Sequence, residues 1–401
     1  MRIMFVTPEF MEKGRPSGGM PNYIYRTAKA LQCFGHEVII VAGGYKMSKK
    51  TDYDGIDLYK VCTYSQESKS DFYNFLLSSL YREIKIQKMI HKICDSKKID
   101  LIQYAGHSGN GIFHHVSVPA VMRMSSYFRF TYSSYLSYSK RQVELFSLLE
   151  RIAAKRMNCV YAPSKVLASA LSKDIKRKVF VLETPYFNYE IETDDTAYKT
   201  LLGDKKYILY FGRIEPDKGV FLIADIAKQL LHKYKDYYLV YVGKDCIVKE
   251  ESTIKLIKKQ IGNEKRVIYR KELSHKELFP IIQNASVILM PSYRENISNA
   301  CMESMDYEKI VIATEGASYE QLITDKENGF LMKIGDSKSL WEGIDRALNL
   351  SENEKKEMGI RAKKRIERLY PKVSIPKLIN YYNFVIKYTA NQSNKHLIGR
   401  K

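Results

Sequence analysis

Residues 286–305, SVILMPSYRENISNACMESM, read as an apolar strand that breaks at Pro291, a polar turn holding Glu295, and a helix opening near Ser298 and carrying Glu303. A strand running through a short turn into a helix is the repeating unit of a parallel sheet covered by helices. YILYFGRIEPDKG (207–219) has the same form, with a glycine turn and a helix start expected at Pro216. YLVYVG (238–243), RVIYR (266–270), KIVIAT (309–314) and GFLMKI (329–334) complete one set of strands. A second set lies upstream: RIMFVTP (2–8), HEVIIVAGG (36–44), IDLIQYA (99–105), VPAVMRM (118–124), CVYAPS (159–164) and KVFVLETP (178–185). Stretches of helical period such as PNYIYRTAKALQCFG (21–35) separate them. Two α/β domains are therefore expected, over 1–190 and 205–372. The polar stretch YEIETDDTAYKTLLGDKK (189–206) reads as the linker. A closing amphipathic helix over 374–392 is expected to complete the first domain, followed by a frayed tail.

The chain's 401 residues, 45% apolar and 27% charged, suit two folded domains and exclude a disordered or fibrous protein. Its six cysteines, Cys33, Cys62, Cys94, Cys159, Cys246 and Cys301, are far apart and read as reduced structural thiols. The N-terminus reads as a first strand and not as a signal peptide, and no apolar run reaches the ~18 residues of a membrane span. A cytoplasmic setting follows as the expectation. The formal charge of +20 favours anionic company, and residues 1–190 hold 28 Lys and Arg against 16 Asp and Glu. YREIKIQKMIHKICDSKK (81–98) pairs an apolar with a basic face, as a helix resting on a membrane or on its own sheet would.

Ligands of open parallel sheets sit beyond the carboxyl ends of strands, where helix N-termini favour anions. There, Arg213 and Lys218 flank a helix start and suit a diphosphate that gains charge on leaving. In a chain with 65 Lys and Arg this spacing also arises by chance, so the strand and glycine context carries the reading. Glu295 and Glu303 on one continuous helix would point ~80° apart. They converge only if Glu295 lies in the loop, where it can reach sugar hydroxyls. The N–H groups of Ile297, Ser298 and Asn299 can then hold a phosphate, and Glu303 the two ribose hydroxyls. Gly18 and Gly19, between the first strand and helix, would let backbone approach a diphosphate. They form neither GxGxxG nor a Walker loop, which argues against a dehydrogenase and an NTPase.

In order and spacing, PSGGMPNYIYRTAKALQCFGHEVIIVA, CVYAPS, YFGRIEPDKG and PSYRENISNACMESMDYEKIVIATEGASYEQLITDKENGFLMKIGD resemble the retaining glycosyltransferases of family 4. The resemblance implies the GT-B fold, two doubly wound Rossmann-like domains facing each other across a deep cleft. It implies that Arg213 and Lys218 bind the donor diphosphate, Glu303 the ribose, Glu295 the donor sugar region, and Gly19 the phosphates, with Asn296 among the donor-binding residues. It further implies a nucleotide-sugar donor, a glycan or lipid-linked acceptor, no metal and no cofactor. Nucleic acid is not expected. The family setting suggests bacterial surface polysaccharide assembly, with peripheral contact on the inner face of an anionic plasma membrane. No protein nucleophile is implied; the leaving phosphate oxygen takes the acceptor's proton on the same face, so positioning and charge stabilisation dominate.

The chain departs from the pattern in four places. Ser125 stands where many members have a His, and His107, at another strand end, is a substitute. Lys271 stands where a Gly commonly opens the base-binding loop. Asn296 replaces a small residue, and Asp306, Glu308 and Ile310 replace an Ala-x-Gly-x-Pro turn. Tyr127, Phe128, Tyr132 and Tyr135 read first as packing residues and second as an acceptor lining. Two other classes stay open: another GT-B enzyme, such as a nucleotide-sugar epimerase or phosphorylase, and a non-catalytic protein bound to an anionic surface.

Overall fold

A computed structural model of the chain describes residues 1–11, 18–63, 72–132, 139–188, 192–248 and 250–398. The chain forms two compact units, one of Met1–Pro185 with Pro371–Lys401 and one of Tyr186–Tyr370.

Among the described residues of unit 1, eight strands form one sheet: β1 (Arg2–Thr7), β2 (Glu37–Tyr45), β3 (Lys49–Tyr53), β4 (Ile56–Cys62), β5 (Leu101–Ala105), β6 (Ala120–Arg123), β7 (Cys159–Ala162) and β8 (Val179–Val181). Their spatial order is β3-β4-β2-β1-β5-β6-β7-β8. All neighbours pair in parallel except β3 with β4. The helices are α1 (Gly19–Cys33), α2 (Phe72–Ser96), the short α3 (Phe128–Tyr132), α4 (Lys140–Arg156) and α5 (Lys165–Ile175). One face of the sheet packs on α2, α4 and α5 through residues such as Val160, Ala162, Ile90, Phe146 and Leu171. Side chains alternate along a strand, so Tyr161 points to the other face. There its hydroxyl meets that of Tyr23 in α1 at 3.2 Å.

Unit 2 begins with α6 (Thr196–Leu201) and carries β9 (Lys206–Phe211), β10 (Tyr237–Val242), a two-strand ribbon of β11 (Ile247–Val248) and β12 (Glu251–Ser252), β13 (Val267–Arg270), β14 (Val287–Met290), β15 (Val311–Thr314) and β16 (Phe330–Met332). Its main sheet is parallel, in the order β13-β10-β9-β14-β15-β16. The helices are α7 (Val220–Lys233), α8 (Thr253–Ile261), α9 (His275–Asn284), α10 (Asn299–Asp306), α11 (Ser337–Asn349) and α12 (Glu352–Glu367). α7, α8 and α11 cover one face, and α9, α10 and α12 the other. Both sheets are thus doubly wound, and strand order reverses between β1 and β5 and between β9 and β14.

The last helix, α13 (Pro371–Ile398), belongs to unit 1, where Tyr382 donates a hydrogen bond to Gln103 of β5 and Tyr381 packs on Tyr161 at 5.3 Å. It starts before residue 374 and continues to Ile398, into the stretch read as a frayed tail.

Three other readings differ from the structure. β3 and β4 were not expected; they form an edge hairpin around Asp54 and Gly55, both at positive φ (53° and 74°) as such a turn demands. The helix expected at Pro216 begins at Val220, because Pro216–Lys218 form one 3₁₀ turn closed by Gly219 in the left-handed region (φ 69°). The passage between units falls at Pro185 and Tyr186, ahead of the stretch read as linker. Leu202 within that stretch is buried in the second core.

Candidate active site

In unit 2 the loops after β9 and β14 meet at the point where strand order reverses, which is where ligands of such sheets bind. Gly219 makes the approach possible. A Cβ there would lie 2.0 Å from the carbonyl oxygen of Pro291, and the Tyr293 N–H donates to the Asp217 carbonyl at 2.9 Å. The first loop is anchored from below by Tyr210, whose hydroxyl donates to the Arg213 carbonyl at 2.6 Å. Burial, and after it the charges of Glu215 and Glu295, hold that phenol protonated.

Across this junction the Lys218 ammonium hydrogen-bonds the Glu295 carboxylate. α10 starts at Asn299 with Ser298 as its cap, the Ser298 hydroxyl accepting from the Cys301 N–H at 3.2 Å. Glu295 therefore lies in the loop, as convergence requires. Asn296, Ile297 and Ser298 lead into the positive end of the helix dipole, which favours an anion. Glu303 is 7% exposed on α10, and its carboxylate lies 3.5 Å from Nε2 of His275 at the start of α9. Arg213 is turned to Glu215, at 2.9 Å, and stays over half exposed. Lys271 is exposed beyond β13, and no hydrogen bond or ion pair joins it to the other candidates among the described residues.

His275 was missed in the sequence, where the capping pattern Ser274–Glu277 hides it as an ordinary helix start. Asp306 departs from the family pattern. It is the last residue of α10, buried, and accepts hydrogen bonds from the hydroxyls of Tyr370 and Tyr186. Burial raises its carboxyl above the ordinary range, opposed by those hydrogen bonds.

In unit 1, Gly18 caps α1 and Gly19 opens it, both at the carboxyl edge of β1. Among the described residues, nothing lies within 4 Å of a Cβ built on Gly19, and only Pro21 Cδ, at 3.9 Å, near one on Gly18. His107 follows β5; burial, and then Arg82, push its imidazole down to about 4, leaving it neutral near pH 7. Ser125 accepts from Arg123, which the sequence reading passed over. The Arg123 guanidinium lies 3.6 Å from the centre of the Tyr23 ring and donates to Thr184 at 2.8 Å. Tyr127 and Phe128 are packing residues, while Tyr135 and the side chain of Tyr132 lie outside the described residues.

The family described as "Glycosyl transferases group 1" matches residues 193–365, and "Glycosyltransferase Family 4" matches residues 17–185. The chain belongs to the group 1 glycosyltransferases. Curated relatives of the family include the capsular polysaccharide biosynthesis glycosyltransferase CapM of Staphylococcus aureus, 26% identical over 60% of this chain. A glycosyltransferase of Methanocaldococcus jannaschii is 20% identical over 87% of this chain and 89% of its own. The match spans 65% of the length of CapM, and 36% of that of the EpsD glycosyltransferase of Bacillus subtilis. Among solved structures, sucrose-phosphate synthase from Thermosynechococcus elongatus superposes with a TM-score of 0.72 at 15% identity, covering 100% of both chains. HepE of Anabaena, in complex with UDP and glucose, gives 0.66 at 16% identity, covering 96% of this chain and 99% of its own. These likenesses establish the GT-B fold.

Proposed function

We propose that the chain is a retaining, metal-independent glycosyltransferase that moves a sugar from a UDP- or GDP-sugar onto a glycan or lipid-linked acceptor. Its setting is bacterial surface polysaccharide assembly, on the cytoplasmic side of an anionic membrane. The observation that carries this reading is the Lys218–Glu295 pair across the β9/β14 junction, beside the N-terminus of α10. Family membership, the capsular relative and a solved neighbour holding UDP and glucose support it.

In this reading Lys218 and Arg213 stabilise the charge that grows on the departing diphosphate, with the first turn of α10 as a third anion-stabilising element. Glu303 accepts the ribose hydroxyls, and Glu295 orients the sugar. Within unit 1, Gly18 and Gly19 are the candidates for phosphate binding and His107 for sugar binding. The leaving oxygen accepts the acceptor's proton on the face where the new bond forms, so positioning lowers the barrier and no side chain acts as nucleophile. The test is transfer of radiolabelled sugar from a panel of nucleotide sugars to membrane extracts, with anomeric analysis of the product. An inverted product, or none from any donor, defeats the proposal.

A further inference from the structure

A cavity of about 470 Å³ opens at the amino edge of the unit 1 sheet, opposite to the strand ends that carry Gly18, Gly19 and His107. Three segments build it. α2 leads from it into β5, α4 leads from it into β7, and the stretch around Phe113 and His115 leads into β6. Ile84 and Phe113 form apolar walls, and Lys88, His91, His115 and Arg156 add cationic or donor groups. The His115 Nδ1–H donates to the Phe113 carbonyl at 2.6 Å, which turns its Nε2 to that of His91. Gln87 also lines the cavity. It is 5% exposed, and its amide nitrogen has no hydrogen-bond partner among the described residues.

The outer faces of the two helices continue the pattern. On α2, Leu77, Tyr81 and Ile84 are exposed (63%, 52% and 43%) at spacings that lead on the same face to Lys88 and His91. On α4, Leu148 and Ile152 are exposed (43% and 38%) and lead to Arg156. Each helix thus presents an apolar stripe that ends in cations, and the two cationic ends share one cavity. Arg156, in the last turn of α4, also complements the helix dipole, but that does not explain the five exposed apolar side chains.

We propose that this cavity receives the phosphate headgroup of an anionic phospholipid, so that α2 and α4 lie with their outer faces on a membrane surface. Lys88 and Arg156 hold the phosphate, and Ile84 and Phe113 meet the start of the acyl region. The inference rests on the reading that the protein works at an anionic membrane, and not on the identity of its donor.

The experiment is flotation of the full chain with vesicles of phosphatidylcholine alone or with phosphatidylglycerol. It compares wild type with Lys88→Glu/Arg156→Glu and with a control of equal charge change, Lys49→Glu/Lys173→Glu. Wild type is expected to float with the anionic vesicles only. The cavity variant should lose about tenfold or more in apparent affinity, and the control much less. Equal loss in cavity variant and control overturns the site but leaves membrane attraction standing. If wild type floats with neither vesicle, both the site and the membrane reading fall, whatever its transfer activity. If inorganic phosphate raises the wild-type melting temperature while no vesicle binds, the ligand is a soluble phosphate and the lipid proposal is overturned.

Discussion

Lys218 and Glu295, on the loops after β9 and β14, satisfy each other across the point where the unit 2 sheet reverses its strand order. Such a pair is a charge held ready, since an arriving diphosphate can take the ammonium only by competing with the carboxylate. Lys218→Ala should lower kcat/KM by about 10²–10³-fold, as loss of one preorganised charge-stabilising donor does. Because the pair is partly solvated, the same change should cost less than about 1 kcal/mol of stability. Transfer kinetics and urea denaturation of the same preparation separate the two effects, and unchanged kinetics would remove Lys218 from the site.

Glu303→Ala should act on the donor. Two hydroxyls would lose a charged acceptor, so the KM for nucleotide sugar should rise about ten- to a hundredfold. His275→Ala, which removes only the neighbour at 3.5 Å, should have a smaller effect of the same kind. Titration of nucleotide diphosphate by calorimetry reads both directly.

Free nucleotide should stabilise the fold by mass action. At a hundred times its dissociation constant the right nucleoside diphosphate contributes about 2.7 kcal/mol and raises the melting temperature by several degrees. UDP, GDP and ADP compared side by side name the base. No shift with any of them speaks against a donor site in unit 2.

Gly219→Ala should be severe. Its φ of 69° strains any L side chain, and the new methyl would collide with the Pro291 carbonyl. A loss of more than about 2 kcal/mol, with loss of transfer, is expected. Wild-type stability would show that the two loops are not held as described.

Stability should peak near pH 6.5, for opposing reasons. Burial pushes the Glu150 carboxyl up to about 8 from 4.5, against hydrogen bonds from the backbone that include the Phe128 N–H at 2.8 Å. Its contribution is whole below the unfolded value and is lost as pH rises through 8. Burial, and then neighbouring cations, push His107 and His114 down to about 4 from 6.5. Their contribution is present above 6.5 and lost as pH falls toward 4. Glu150→Gln should flatten the alkaline limb, worth about 2 kcal/mol between pH 6.5 and 8, and leave the acid limb in place. Denaturant unfolding at several pH values checks the difference.

Much of this architecture is legible in the residues because buried parallel strands are continuous β-branched runs, and all twelve such runs read in the sequence are strands. β3 is not legible that way: its KKTDY is an exposed edge, although Asp54–Gly55 carried a hairpin signal that went unread. Arg123 stayed hidden because its partners, Tyr23 and Thr184, are distant in sequence, and a cation inside a strand run gives no sign of its direction. Glu295 and Lys218 were legible because each directly follows a strand, where a parallel sheet gathers its ligand groups. The clasp of Tyr186 and Tyr370 on Asp306 could not be read, since it joins residues far apart along the chain.

That clasp also fixes an order of events. The chain enters unit 2 at Tyr186 and leaves it at Tyr370, and the Tyr186 N–H reaches the Leu369 carbonyl at 2.9 Å, so the two ends of the unit are neighbours. Unit 2 is one uninterrupted length of polypeptide, whereas unit 1 lacks the Tyr382 partner of Gln103 until α13 has left the ribosome. The half that is synthesised first is therefore the half that is finished last. A nascent chain that has emerged from the ribosome to just beyond residue 370 would carry a completed insert within a still unsealed host.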